Sequence, residues 1–168
     1  MNVRLLTLLL LTLWVSVCSA GTALKPFYAD SLKQIVGARN DSPFLLVLWS
    51  IDCPPCLQEL ARLQQLRDQF PDNALVLVST DGRDSSVDVA QLLNDFQLQQ
   101  VESWIFAESI PERLRYAIDP AWYGELPRAY FYQSAEQRRA HSGSLSKAEL
   151  QQWLQRTGLN PVSGGSEK

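Results

Sequence analysis

Residues 44–60 read Phe44-Leu45-Leu46-Val47-Leu48-Trp49-Ser50-Ile51-Asp52-Cys53-Pro54-Pro55-Cys56-Leu57-Gln58-Glu59-Leu60. The first six are an unbroken apolar run of strand length, as expected for a strand covered on both faces. From Pro54 onward the apolar side chains Leu57, Leu60, Ala61, Leu63 and Leu66 recur at helical spacing, which predicts a helix running to Phe70 and stopped by Pro71. Two cysteines therefore stand where a buried strand hands over to a helix.

That position has chemical consequences. A helix N-terminus offers free N–H groups and the positive end of the macrodipole, both of which favour a thiolate. Pro54 fits the first helical position and makes Cys53 the N-cap. Pro54 and Pro55 both lack an N–H, so the first donors within reach of Cys53 belong to Cys56 and Leu57. Cys56 lies one turn inward and is expected to be the less exposed sulfur. On this reading Cys53 is the attacking thiolate and Cys56 the resolving thiol.

Working outward, Asp30 or Ser31 is expected to cap a short helix ending at Gly37. A second buried strand is expected at Ala74–Val78, followed by a helix from Ser85 or Ser86 through Val89, Leu92, Leu93 and Phe96. A third strand is expected at Trp104–Phe106, then a helix with Pro111 in its first turn carrying Leu114, Tyr116 and Ile118. Arg128–Tyr132 and Arg138–His141 read as a hairpin joined by 133–137. A last helix is expected from near Ser144, with Leu145, Leu150, Trp153 and Leu154 inward, ending at Gly158. Strand–helix alternation followed by a hairpin and a helix predicts an α/β sandwich with a central mixed sheet flanked by helices.

The first twenty residues read as an export signal: Arg4, an apolar run from Leu5 to Val17, and small residues before a cut at Gly21. The run has 13 residues, short of the about 20 that span a bilayer. Cleavage is the expected fate, with retention as an anchor facing the periplasm as the alternative. Acylation at Cys18 ranks below cleavage because bulky Val17 precedes it. The expected organisation is a signal peptide (1–20), a lead-in with a short helix (21–39), one domain (40–157) and a flexible tail (158–168). Cleavage leaves Cys53 and Cys56 as the only cysteines. Disulfides persist in exported proteins, but a bridge across two residues closes almost no loop and adds little stability. The pair is suited to exchange chemistry rather than to stapling the fold.

Other chemistries find little support. Leu57, not His, follows Cys56, which excludes covalent haem attachment, and His141 is the single histidine for any metal site. No metal and no cofactor is expected. The chain carries 15 Lys+Arg against 18 Asp+Glu, net −3, with no basic stripe, so nucleic acid is not an expected partner.

Phe44 to Leu60, with Trp49 four residues before Cys53, resembles the active-site strand and helix of thioredoxins. Cys53-Pro54-Pro55-Cys56 followed by Glu59 is similar to the exported TlpA/ResA-like thiol–disulfide oxidoreductases. Glu125-Leu126-Pro127 before Arg128–Tyr132 resembles the stretch holding that family's cis-proline, and the segment 101–118 resembles its strand–helix insertion. The resemblance implies a thioredoxin fold over about residues 40–157. It also implies a Cys53–Cys56 redox disulfide, a cis bond at Pro127 bringing the Leu126 backbone beside Cys53 to pair with a client, and Trp49 as a ring flanking the site, with a plain core tryptophan as the alternative. Two departures stand out: Val47 replaces the buried aspartate of thioredoxins, and Asp52 replaces the tryptophan common before the first cysteine. Proton handling then falls to water, Asp52 or Glu59, although Glu59 reads first as part of a solvated helix face.

The helix terminus favours the thiolate by about 0.3–2 kcal/mol. Asp52, at about 7 Å, opposes it by roughly 0.6–2.4 kcal/mol. The two nearly balance, which predicts a reductant or mildly poised exchanger rather than a strong oxidant. The implied partners are proteins with disulfides or oxidised cysteines, apocytochrome c among them, and an inner-membrane thiol electron donor. The chain is expected to be a monomer. The alternatives are a metal- or haem-delivery chaperone on the same fold, a periplasmic oxidant or isomerase, and a binding module without the reaction.

Overall fold

The computed structural model describes residues 24–159; the expected export signal and the end of the tail lie outside them. Six strands form one sheet: β1 (Lys25–Phe27), β2 (Phe44–Trp49), β3 (Leu75–Ser79), β4 (Glu102–Phe106), β5 (Arg128–Tyr132) and β6 (Arg138–Ser142). Five helices accompany them: α1 (Ser31–Gly37), α2 (Pro54–Gln65), α3 (Ser86–Asp95), α4 (Pro111–Ile118) and α5 (Lys147–Thr157). The strand order is β1-β4-β3-β2-β5-β6. The first four are mutually parallel, and β5 and β6 add antiparallel pairs.

Strand alternation divides the core into two layers. Leu45, Val47 and Trp49 of β2 pack with Leu60 and Leu63 of α2, Val89 and Leu93 of α3, and Leu150, Trp153 and Leu154 of α5. Phe44, Leu46 and Leu48 point the other way, onto Ile35 of α1 and Leu114 and Ile118 of α4. All six residues of β2 are buried because helices cover both faces, which is what its unbroken apolar run encodes.

Three elements depart from the periodicity reading. Instead of running to Phe70, α2 ends at Gln65 and gives way to a 3₁₀ turn at Arg67–Gln69. The proline after Phe70 holds that residue extended (φ −94°, ψ 130°), so the closing bonds tighten to the three-residue spacing of Leu66 N–H to Leu63 and Phe70 N–H to Arg67. The last helix starts at Lys147 rather than near Ser144. Ser146 caps it in a reciprocal box with Glu149, which leaves Leu145 buried but outside the helix. Finally, β1 has too few residues for a periodicity, and only Phe27 of its three is buried. It joins the sheet because Phe27 packs on Trp104 and Phe106.

The segment from β4 through α4 inserts a strand between β1 and β3 and lays a helix on the second face. Tyr116 of α4 is 70% exposed, since it lies on the side of the helix opposite Leu114 and Ile118. Among the described residues no helix is long and apolar enough to cross a membrane.

Leu60 is fully buried at the centre of the α2–sheet contact. Leu60→Ala is expected to cost about 2–5 kcal/mol, read as a lower denaturant midpoint with an unchanged slope.

Candidate active site

The chain leaves β2 at Trp49, turns through Ser50–Asp52 and enters α2 at Pro54. Cys53 is the N-cap in an extended conformation (φ −114°, ψ 94°). Its carbonyl accepts from Cys56 N–H at 2.9 Å and Leu57 N–H at 3.2 Å, and its Sγ accepts from Cys56 N–H at 3.3 Å. The two sulfurs are bonded at 2.04 Å. Cys56 is fully buried, whereas Cys53 is half-buried and flanked by exposed Asp52, Pro54 and Pro55. A foreign disulfide can therefore reach one sulfur of the pair and not the other.

Glu59, expected on a solvated face, is instead 1% exposed. It shares the inner stripe of α2 with Cys56, Leu60 and Leu63. Its Oε2 accepts from Leu145 N–H at 2.9 Å and lies 3.6 Å from Arg62, while Oε1 is buried without a hydrogen-bond partner among the described residues. Burial pushes the Glu59 carboxyl up to about 7, with the Leu145 N–H and Arg62 reversing only part of the rise. The stripe was legible at i, i+3, i+4 from Cys56; what argued against it is that charged residues are almost never fully buried.

Of the two places expected for Trp49, it takes the core one. It is 1% exposed and belongs to the core layer beneath the cysteines, so it supports the site from below and does not flank it. The loop above it is held by Asp81, a residue that sequence reasoning missed. Asp81 accepts from the Ser50 hydroxyl at 2.8 Å, the Ile51 N–H at 3.1 Å and the Ser79 hydroxyl at 2.6 Å. Ser50 Oγ in turn accepts from Asp52 N–H at 3.2 Å. An aspartate just past a buried parallel strand was the available signal, because the carboxyl ends of such strands gather at one edge of the sheet.

The Leu126–Pro127 peptide is cis. Leu126 packs against the same core layer as Cys53, and neither its N–H nor its C=O has a main-chain partner among the described residues. The loop leading to it is pinned by Arg128, which is 9% exposed. Arg128 pairs with Asp119 at 3.1 Å and Glu125 at 3.0 Å, donates to the Tyr130 hydroxyl at 3.2 Å and also meets Ser142. Burial opposes ionisation of Glu125, but the Ser142 hydroxyl and the Arg128 charge prevail and hold its carboxyl below the ordinary value. Trp122 Nε1 closes the loop on Glu125 C=O at 2.9 Å.

No protein-family model matches the chain, and no curated protein matches it. Solved structures do. A secreted Mycobacterium tuberculosis disulfide oxidoreductase homologous to Escherichia coli DsbE aligns with TM-score 0.54 at 18% identity, covering 71% of this chain and 86% of that one. A thioredoxin-family thiol:disulfide interchange protein from Chlorobium tepidum TLS aligns with TM-score 0.56 at 14% identity, covering 72% and 83%. An exposed lipoprotein thioredoxin of Streptococcus pneumoniae strain TIGR4 gives 0.54 at 13%, covering 72% and 89%. The chain has the thioredoxin-like α/β fold expected from its sequence.

Folded Glu59 keeps its proton to about pH 7, against an ordinary value of 4.5. Between those limits the folded state binds more protons than the unfolded one, so stability falls as pH rises. The shift corresponds to roughly 3 kcal/mol. Denaturant titrations of the reduced and oxidised protein from about pH 4.5 to 8 are expected to show this loss, and Glu59→Gln is expected to flatten it.

Proposed function

We propose that this chain is an exported thiol–disulfide oxidoreductase that reduces protein disulfides. The observation that carries the reading is the asymmetry of the pair: Cys53 is reachable at the helix N-terminus, and Cys56 is fully buried one turn before the buried Glu59. In the dithiol state the Cys53 thiolate attacks one sulfur of a client disulfide. The client S–S bond breaks, its second sulfur leaves as a thiolate, and a mixed disulfide forms on Cys53. Cys56 then gives up its proton and attacks Cys53 Sγ, which releases the reduced client and regenerates the Cys53–Cys56 bond. Two electrons pass from the pair to the client.

Glu59 is the proton acceptor for Cys56 in this scheme. It lies one turn further along α2 (i, i+3), and burial holds its carboxyl at about 7, where it can both take and return a proton. The unpaired main chain of Leu126 suits an extended client docking as an added strand beside Cys53. Asp52 is an exposed anion next to Cys53, and Pro54 and Pro55 withhold two N–H donors. Both features favour a reductant over an oxidant, because each leaves the thiolate less stabilised.

The remaining parts follow from the sequence. Residues 1–20 direct export and are cleaved, residues 40–157 form the working domain, and the protein acts in the periplasm as a monomer. Electrons reach it from an inner-membrane thiol carrier. Clients are exported proteins with disulfides or oxidised cysteines, and oxidised cysteines of apocytochrome c, reduced before haem attachment, fit that description.

Insulin reduction by the purified protein tests the reaction. Cys53→Ser is expected to abolish it, and Glu59→Gln to slow it about a hundredfold at pH 7. Cys56→Ala, expressed in the native host, is expected to accumulate mixed disulfides on Cys53. A two-electron potential near the strong-oxidant value of about −120 mV would overturn the reductant assignment, and wild-type protein inert toward insulin would overturn the activity.

A further inference from the structure

The loop that presents Cys53 is tied to a residue well beyond it in the chain. Asp81 lies just past β3, the parallel neighbour of β2. One of its oxygens takes the Ser50 hydroxyl and the other takes the Ile51 N–H and the Ser79 hydroxyl. Ser79 is fully buried and also accepts from Asp81 N–H at 3.1 Å, which fixes the carboxylate from its own strand. Cys53 N–H bonds to Ser50 C=O at 3.3 Å. With the Asp52 N–H on Ser50 Oγ, four hydrogen bonds thus brace the segment Ser50–Cys53, and two of them end on Asp81.

Such bracing needs only hydrogen-bond acceptors, and a neutral side chain could supply one. A carboxylate also brings a full negative charge into the turn before the reactive sulfur. Two residues span at most about 7 Å, and the Ile51 N–H to Asp81 contact adds 3.1 Å, so the charge lies within about 10 Å of the Cys53 main-chain nitrogen. The disulfide is neutral whereas the reduced pair carries a thiolate, so an anion here disfavours the reduced pair.

We infer that Asp81 is a positioning residue that braces the Ser50–Asp52 turn and biases the Cys53–Cys56 pair toward the disulfide, making the dithiol a stronger reductant. The inference rests on the oxidoreductase reading above and adds a residue to it. Asp81 works beside two other acidic groups near the pair: Asp52 on the same turn and Glu59 one turn beyond Cys56 on α2. It differs from Asp52 in being clamped by three donors, so its charge cannot swing away into solvent.

The test is the equilibrium of the protein with reduced and oxidised glutathione at about pH 8, where the thiolate is well populated, read by alkylation of free thiols. A unit charge about 10 Å away, through an effective dielectric of 80 to 20, is worth about two- to fifteenfold in such an equilibrium. Asp81→Asn keeps the shape and one acceptor but removes the charge, and is expected to shift the equilibrium toward the dithiol by at least about twofold. Ser79→Ala removes both hydrogen bonds between Ser79 and Asp81 and keeps the charge, and is expected to stay within about 1.5-fold of wild type, a shift below the smallest charge effect. An unchanged equilibrium in Asp81→Asn, or an equal shift in Ser79→Ala, overturns the inference while leaving the oxidoreductase reading intact. An Asp81→Asn chain that does not fold also overturns it, because Asp81 would then be purely part of the scaffold. Wild-type protein that exchanges with neither form of glutathione overturns the reading beneath it.

Discussion

Pro54 and Pro55 have no N–H, so the first main-chain donor that α2 can offer is that of Cys56, and it goes to Cys53 Sγ and carbonyl. Much of the site's geometry depends on that constraint. It seats Cys53 as the cap, sets the next cysteine one turn inward, and draws the two sulfurs to bonding distance. The helix can begin there only because β2, buried on both faces, delivers the chain to the edge of the sheet at Trp49. Packing of Leu60 and Leu63 then locks the helix in the rotation that turns Cys56 inward.

The same rotation buries Glu59. A carboxyl taken out of water without a full set of partners lowers its cost by holding a proton. Its one main-chain donor comes from Leu145, on the segment that leads into α5. The capping box at Ser146 and Glu149 starts α5 just beyond that residue, and this leaves the Leu145 N–H free to face α2. Beside the apolar layer they share, α2 and the segment leading into α5 are thus joined by a buried carboxyl. Any change that moves the start of α5 alters the environment of the proton held beside Cys56.

Two side chains, Asp81 and Arg128, hold the loops of the site from opposite sides. Asp81 reaches from the end of β3 into the turn before Cys53. Arg128 reaches from β5 to Asp119 and Glu125 and holds the segment that ends in Leu126–Pro127. Arg128 lies opposite Leu48 in the β2–β5 ladder, and its partner Tyr130 belongs to the second core layer. It thus steadies the loop around Leu126 from the far side of the sheet, away from α2. Loops that carry function are commonly positioned in this way by a rigid scaffold.

Much of this is legible in the amino-acid sequence alone. The run 44–49 determined a strand covered on both faces, because nothing but a two-sided apolar environment suits six consecutive large apolar side chains. The cysteine spacing with two prolines determined the cap, the order of the sulfurs and their burial difference, because those follow from helical pitch and missing donors within one turn. The alternation of strands and helices determined the mixed sheet. Tertiary structure alone decided the rest, since it depends on partners distant in sequence. Glu59 lies on the inner stripe of its helix, but the main-chain donor that its buried carboxyl needs comes from Leu145, 86 residues away. Asp81 reads as an ordinary loop residue until β3 lies beside β2, and β1 carries no signal until Phe27 meets Trp104 and Phe106. Between rim and core, the place of Trp49 was decided for the same reason: an alternating strand assigns a side chain to a face, but only the helices packed there determine whether that face is open.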